Sequence, residues 1–285
     1  MARTVLDAAT ASRSINAARP SQSISSRDVP SRPKAWADVS IYQAKQSAAP
    51  EVCFLIWNWR PGVIAALYIE PEGCYAGLPG VDAWCEQRDA RQYAGPHPVV
   101  AHPPCQRWGR FWHGSTRKPH QFKMGDDGGC FAHALMSLAD HGGVLEHPCD
   151  SHAWRWFGLR RPKRHAGWQR TRGPMVWWMD GGAFRLRDRR AGEWWTCYVE
   201  QGHYGHMSRK KTWLLARMPR ASLPELDWSA GEQRLHPVAL KRYGYEKARR
   251  IGITAMVGGK DKTKIRNATP EAFRDVLINM ARTAR

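Results

Sequence analysis

Short apolar runs broken by turn residues dominate the first half of the chain. "VCFLIW" (52–57) and "AALYIE" (65–70) have strand length and no helical period, and "PEGCYAGLPG" (71–80) after them is rich in turn formers. "PVVA" (98–101) predicts a short buried strand that runs into His102 and two prolines. "CFAHALMSLAD" (130–140) carries Phe131, Ala134, Leu135 and Leu138 at helical spacing, and Gly142-Gly143 stops it. "VLE" (144–146) is a second short apolar strand. Strand, helix and strand in this order predict a right-handed crossover with parallel neighbours. Both strands then finish on the same edge of one sheet, where sites form in open α/β folds. Cys105 and Glu146 are therefore expected side by side.

Further along, "WTCYVE" (195–200) and "TWLLA" (212–216) predict two more strands with "QGHYGHMSRKK" between them. "PEAFRDVLINMAR" (270–282) is amphipathic, with Phe273, Val276, Leu277 and Met280 on one face and Thr269 as its expected N-cap. Residues 1–50 show no sustained period and are rich in Ser, Ala and Arg, so a disordered or weakly ordered tail is expected there.

Composition adds a partner class. The 285 residues carry a formal charge of +19. Residues 155–190 hold eleven Lys/Arg against two Asp/Glu, and residues 241–266 hold nine against two. Charge concentrated in the folded part implies an anionic partner, most simply double-stranded DNA. No apolar run reaches the roughly 18 residues of a membrane span, and no secretory pattern opens the chain, so a soluble cytoplasmic protein without a membrane partner is expected. Seven cysteines without disulfide spacing are expected as reduced thiols.

"VVAHPPCQRWGRFWHG" (99–114) carries the candidate chemistry. Cys105 follows a strand, is fixed by Pro103 and Pro104, and lies near Arg107 and Arg110. That setting favours a thiolate nucleophile; the alternative is a buried cysteine in a tight turn. Glu146 ends an apolar strand before His147-Pro148. In a half-buried cleft its pKa is expected to rise, so that it donates a proton; the alternative is a carboxylate paired to an arginine. A thiol beside a proton donor suits a pyrimidine. Addition at carbon 6, with an acid at nitrogen 3, makes carbon 5 a nucleophile. On DNA such chemistry requires the base to be flipped out. His102, Cys105, His147, Cys149, Cys197, His203 and His206 invite a zinc reading, but no C-x-x-C pair supports one and no metal is expected.

Five segments, in order, resemble the DNA cytosine-5 methyltransferases. "PPCQ" (103–106) is similar to their catalytic loop, and "VLEHP" (144–148) to their Glu-Asn-Val/Pro strand end, with His147 for Asn. "YGHMSRKKTWLL" (204–215) resembles their Gln-x-Arg-x-Arg-x-Phe segment, with Met207 for Gln, Lys211 for the second Arg and Trp213 for Phe. "RNATPEAFRDVL" (266–277) resembles their last motif, with Arg266 for Gly. "CEQRDARQY" (85–93) sits where that family has its adenine-contacting acid, best matched by Asp89. The pattern resembles a divergent member of that family, of phage type or from a mobile element.

The resemblance implies a Rossmann-like methyltransferase sheet, mostly parallel, within an α/β fold. A catalytic domain would span 51–218 plus 264–285, and a small basic DNA-recognition region would span 219–263. It implies methyl transfer from S-adenosylmethionine to carbon 5 of cytosine. Cys105 would be the nucleophile, Glu146 would engage nitrogen 3, and Arg209 and Lys211 would hold the base or loop. Asp89, Asn267 and Pro104 would touch the cofactor. Gln106, Arg107, Arg110, Arg161, Lys163, Arg164, Lys260, Lys262 and Lys264 would contact DNA. The family's Asp-x-Phe-x-Gly-x-Gly-Gly donor loop is missing; "WNWRPG" (57–62) and "EPEGCYAGLPG" (70–80) do not fit it. A transferase with a different donor, or a nucleic-acid-binding relative without donor chemistry, are the alternatives.

Overall fold

The computed structural model describes residues 60–110, 112, 124–177, 183–185, 193–206, 208–231, 237–251 and 267–284. The expected tail (1–50), the strand expected at 52–57 and the lysines at 260, 262 and 264 lie outside them.

Seven strands form one sheet: β1 (Ile64–Ile69), β2 (Val81–Cys85), β3 (Val99–Ala101), β4 (Gly143–Pro148), β5 (Gln169–Arg170), β8 (Glu193–Glu200) and β9 (Lys211–Met218). Their spatial order is β2-β1-β3-β4-β9-β8-β5, and β6 (Met175–Trp177) with β7 (Ala183–Arg185) forms a separate ribbon. The helices are α1 (Cys130–His141), α2 (His152–Trp156), α3 (Pro237–Ile251, broken by a non-helical Gly244) and α4 (Glu271–Arg282). No helix among the described residues is long and apolar enough to cross a membrane.

The predicted β3–α1–β4 crossover is present, with Val99–Ala101 paired in parallel to Gly143–Leu145. Burial on both faces explains why β1, β3 and β4 read as unbroken apolar runs. One face packs under α1 through Phe131, Leu135 and Leu138. The other packs under α4 through Phe273, Leu277, Ile278 and Met280. Gly143 starts β4 at φ 125°, and a Cβ there would sit 2.0 Å from the Val99 carbonyl oxygen, so only glycine lets the two strands meet. The α4 start differs from expectation: Pro270 itself occupies the N-cap, with no side-chain cap, and Glu271 is the first helical residue.

The sheet is mixed rather than mostly parallel. Ladders β2–β1, β1–β3 and β3–β4 are parallel; β4–β9, β9–β8 and β8–β5 are antiparallel. A short turn at Gln201–Tyr204 helps connect β8 to β9, and so short a connection favours an antiparallel return over a crossover. Because β9 lies between β4 and β8, β8 runs in the same direction as β4. Residues 219–231 lie against this sheet: Leu226 is buried and the Gly231 N–H donates to Glu200 at 2.9 Å.

Candidate active site

The carboxyl ends of β3 and β4 are neighbours, and the side chains that follow them converge. The His102 N–H donates to the Leu67 carbonyl at 3.0 Å, which extends the β1–β3 pairing by one bond and points the chain toward the two prolines. Cys105 is half-buried at the head of a turn in which its carbonyl accepts from the N–H groups of Trp108 (3.1 Å) and Gly109 (2.7 Å). Trp108 is buried, and its indole N–H donates to Asp127 Oδ2 at 2.7 Å. Asp127 also accepts from the Gly129 and Phe131 N–H groups, so it caps α1 while anchoring the Cys105 turn. Burial raises the Asp127 pKa despite these donors.

Glu146 is buried in β4 and fully engaged. His102 Nδ1–H donates to its Oε2 at 3.1 Å, and Gln201 Nε2 and the Thr212 hydroxyl donate to its Oε1 at 3.0 and 3.4 Å. The Tyr75 hydroxyl lies 2.9 Å from His102 Nε2 and completes a buried Tyr75–His102–Glu146 chain. The expected rise in the Glu146 pKa does not occur. Burial pushes it up, but the His102 hydrogen bond, the Lys210 ammonium and the neighbouring imidazoles outweigh burial and hold it at about 2. Glu146 rests as a carboxylate that accepts hydrogen bonds and holds no proton of its own.

Lys210 is the cation of the site. Its backbone is left-handed at φ 32°, and its ammonium donates to the carbonyls of Asn267 (3.0 Å) and Ala268 (2.8 Å). Burial lowers its pKa, while the charge of Glu146 and then those of Cys105, Cys74 and Glu70 oppose that shift. Lys210 thus lies in electrostatic reach of both expected catalytic side chains. Lys211, expected in this role, is exposed on the other side of the strand, because alternation along β9 turns its neighbour Thr212 inward.

Arg209 is also used differently. It grips Glu200 through Nε and through Nη2 at 2.7 Å. Glu200 is fully buried and further accepts from the Tyr198 hydroxyl, so this cluster ties the β8–β9 turn together instead of facing the site. His147 is buried against Phe131 and Trp154, and neither ring nitrogen has a hydrogen-bond partner among the described residues. The Pro104 carbonyl faces the ring outside hydrogen-bond geometry, and burial holds the His147 pKa at about 4.

The residues expected at the donor are either held by neighbours or exposed. Asp89 is bound by its neighbour Arg91, Nε to Oδ1 at 2.8 Å and Nη2 to Oδ2 at 3.0 Å. Pro104 and Asn267 are exposed, and the Asn267 carbonyl is taken by Lys210. Among the described residues these positions do not fit S-adenosylmethionine as the resemblance implies. Of the expected DNA contacts, Gln106, Arg110, Lys163 and Arg164 are exposed and Arg107 is half-buried. Arg161 is exposed, pairs with Asp150 at 3.4 Å and lies over the Trp213 ring. Among the described residues no three His, Cys, Asp or Glu side chains gather as a metal site.

Sequence reasoning missed Lys210, Tyr75, Gln201, Thr212 and Asp127. The signal for Asp127 was present in "GDDGG" just before a helix, a common capping composition. No family model, curated protein or solved structure matches the chain.

Proposed function

We propose that the protein is a DNA-modifying enzyme that activates cytosine at carbon 5 through addition of the Cys105 sulfur to carbon 6. The observation that carries this reading is that Cys105 and Glu146 lie at the carboxyl ends of the parallel strands β3 and β4, while Lys210, just before the antiparallel β9, lies in electrostatic reach of both. The Lys210 ammonium stabilises the thiolate against protonation. Ionised Glu146 accepts hydrogen bonds from the cytosine amino group and from nitrogen 3 once that nitrogen is protonated. The exposed basic stretch at Arg160, Arg161, Lys163 and Arg164 supplies phosphate contacts for a duplex from which the base is flipped.

The deciding experiment needs no donor. Reversible sulfur addition lets carbon 5 take up a deuteron from solvent, so cytosine in a duplex incubated with the protein in heavy water gains deuterium at carbon 5. Nucleoside mass spectrometry reads the gain. Exchange by wild type and none by Cys105→Ala supports the reading; equal exchange by both removes it. Duplex affinity is expected to fall steeply with salt, and a flat dependence would remove DNA as the partner.

The poor fit of the donor positions favours one second reading: a nucleic-acid-binding protein that forms no adduct. It predicts salt-dependent binding with no exchange.

A further inference from the structure

We propose that His102 is the proton source of this site, acting through Glu146 and held in one ring orientation by Tyr75. The inference rests on the cytosine reading above. When the Cys105 sulfur gives an electron pair to carbon 6, ring electrons move to nitrogen 3, which must then gain a proton. Glu146 is ionised and hydrogen-bonded on both oxygens, so it holds no proton of its own. His102 Nδ1 is 3.1 Å from the same carboxylate, and Tyr75 Oη is 2.9 Å from the other ring nitrogen.

The step balances. The sulfur–carbon 6 bond forms, the His102 Nδ1 proton passes to Glu146, and Glu146 delivers a proton to nitrogen 3. His102 is left as a neutral imidazole with Nε2–H still donating to Tyr75. On release the sulfur–carbon bond breaks and the proton returns by the same route. His102 is a positioning and relay residue, because it reaches the base only through Glu146.

Other groups lie near this chain, and they differ in kind. Cys74 lies beside Tyr75, with Arg274 and Asp275 of α4 behind it. His147 follows Glu146 in β4 with its ring on the opposite face, against Phe131 and Trp154, and burial keeps it neutral. Lys210 lies in electrostatic reach of both Glu146 and Cys105. Histidine is the side chain that ordinarily changes charge between about pH 5 and 8, and of the two near Glu146 only His102 is hydrogen-bonded to it.

The test is the pH profile of carbon 5 exchange in duplex DNA. In wild type the rate is expected to show a rising limb that depends on Cys105 and a falling limb that depends on the proton source. His102→Gln keeps a hydrogen-bond donor but cannot titrate; it is expected to keep the rising limb, lose the falling limb and run about a hundredfold slower at the wild-type optimum. A falling limb retained in His102→Gln overturns the relay. Proton NMR tests the chain without any chemistry. A downfield imidazole N–H resonance of His102 is expected to move in both Glu146→Gln and Tyr75→Phe; if it moves in neither, the relay is wrong. Absence of Cys105-dependent exchange in wild type is a separate result, which removes the cytosine reading and the relay with it.

Discussion

The Trp108 indole N–H donates to Asp127 Oδ2 at 2.7 Å, and this one bond fixes the turn that carries Cys105 to the first turn of α1. Asp127 is near the centre of a small network in which a buried indole and two backbone N–H groups share one carboxylate.

Asp127→Ala leaves those three donors without their acceptor, and one of them belongs to a buried tryptophan. A loss of about 2–4 kcal/mol in unfolding free energy is expected by urea denaturation. Asp127→Asn keeps an acceptor oxygen and is expected to lose about 1 kcal/mol. Equal losses in the two variants would show that the charge, rather than the hydrogen bonds, matters.

Arg209 separates a structural role from a base-holding one. Its partner Glu200 is fully buried, and removing the guanidinium leaves a carboxylate that burial disfavours. With the arginine itself about one-third exposed, Arg209→Ala is expected to cost about 2–3 kcal/mol, less than a fully buried pair. Glu200→Gln with Arg209→Met is expected to recover part of that loss. An Arg209→Ala protein with unchanged stability but weakened DNA binding would return Arg209 to the site.

The parts of this fold legible in the sequence are those specified locally. The β3–α1–β4 unit was readable because a period of 3.6 sits between two apolar runs and Gly142-Gly143 marks where the helix ends. That unit alone places Cys105 and Glu146 on one edge. The insertion of β9 between β4 and β8 was not readable, since an apolar run such as "TWLLA" carries no direction. The choice of Lys210 over Lys211 depends on strand register and on a left-handed backbone at a lysine. The charge of Glu146 was misjudged for a related reason. Burial is visible in the apolar run "VLE", but His102 and Lys210, which overcome it, are forty-four and sixty-four positions away.

Lys210 gives a chemical prediction that does not depend on DNA. Alkylation of Cys105 by iodoacetamide, read by peptide mass spectrometry at fixed pH, is expected to slow about tenfold in Lys210→Met and little in Lys210→Arg. The half-buried thiols of Cys130 and Cys149 serve as internal standards, because desolvation pushes their pKa values up to about 12 and about 11. A Cys105 rate unchanged in Lys210→Met would separate the ammonium from the nucleophile.

Two of the buried histidines, His133 and His147, contribute to the acid response of the fold. His133 accepts from the Tyr68 hydroxyl and donates to the Tyr93 carbonyl, which uses both ring nitrogens in the neutral form. Burial holds its pKa at about 4, and the His147 pKa at about 4 as well, against an ordinary value of 6.5. The folded chain therefore binds fewer protons than the unfolded chain through this window. Their contribution is whole above about pH 6.5, declines as pH falls toward about 4, and levels off below that, with a loss on the order of 3 kcal/mol for each imidazole. Glu146 behaves differently. Its pKa is depressed from 4.5 to about 2, so its contribution is whole above 4.5 and is lost as pH falls toward 2. Urea midpoints measured from neutral pH downward should show His147→Asn flattening the slope by about half between pH 6.5 and 4. Glu146→Gln should lower stability at every pH above 4.5, leave the slope between pH 6.5 and 4.5 intact and flatten the slope below 4.5. A His147→Asn profile parallel to wild type would mean that this imidazole takes up its proton in the folded state and is not held neutral by the Phe131–Trp154 pocket.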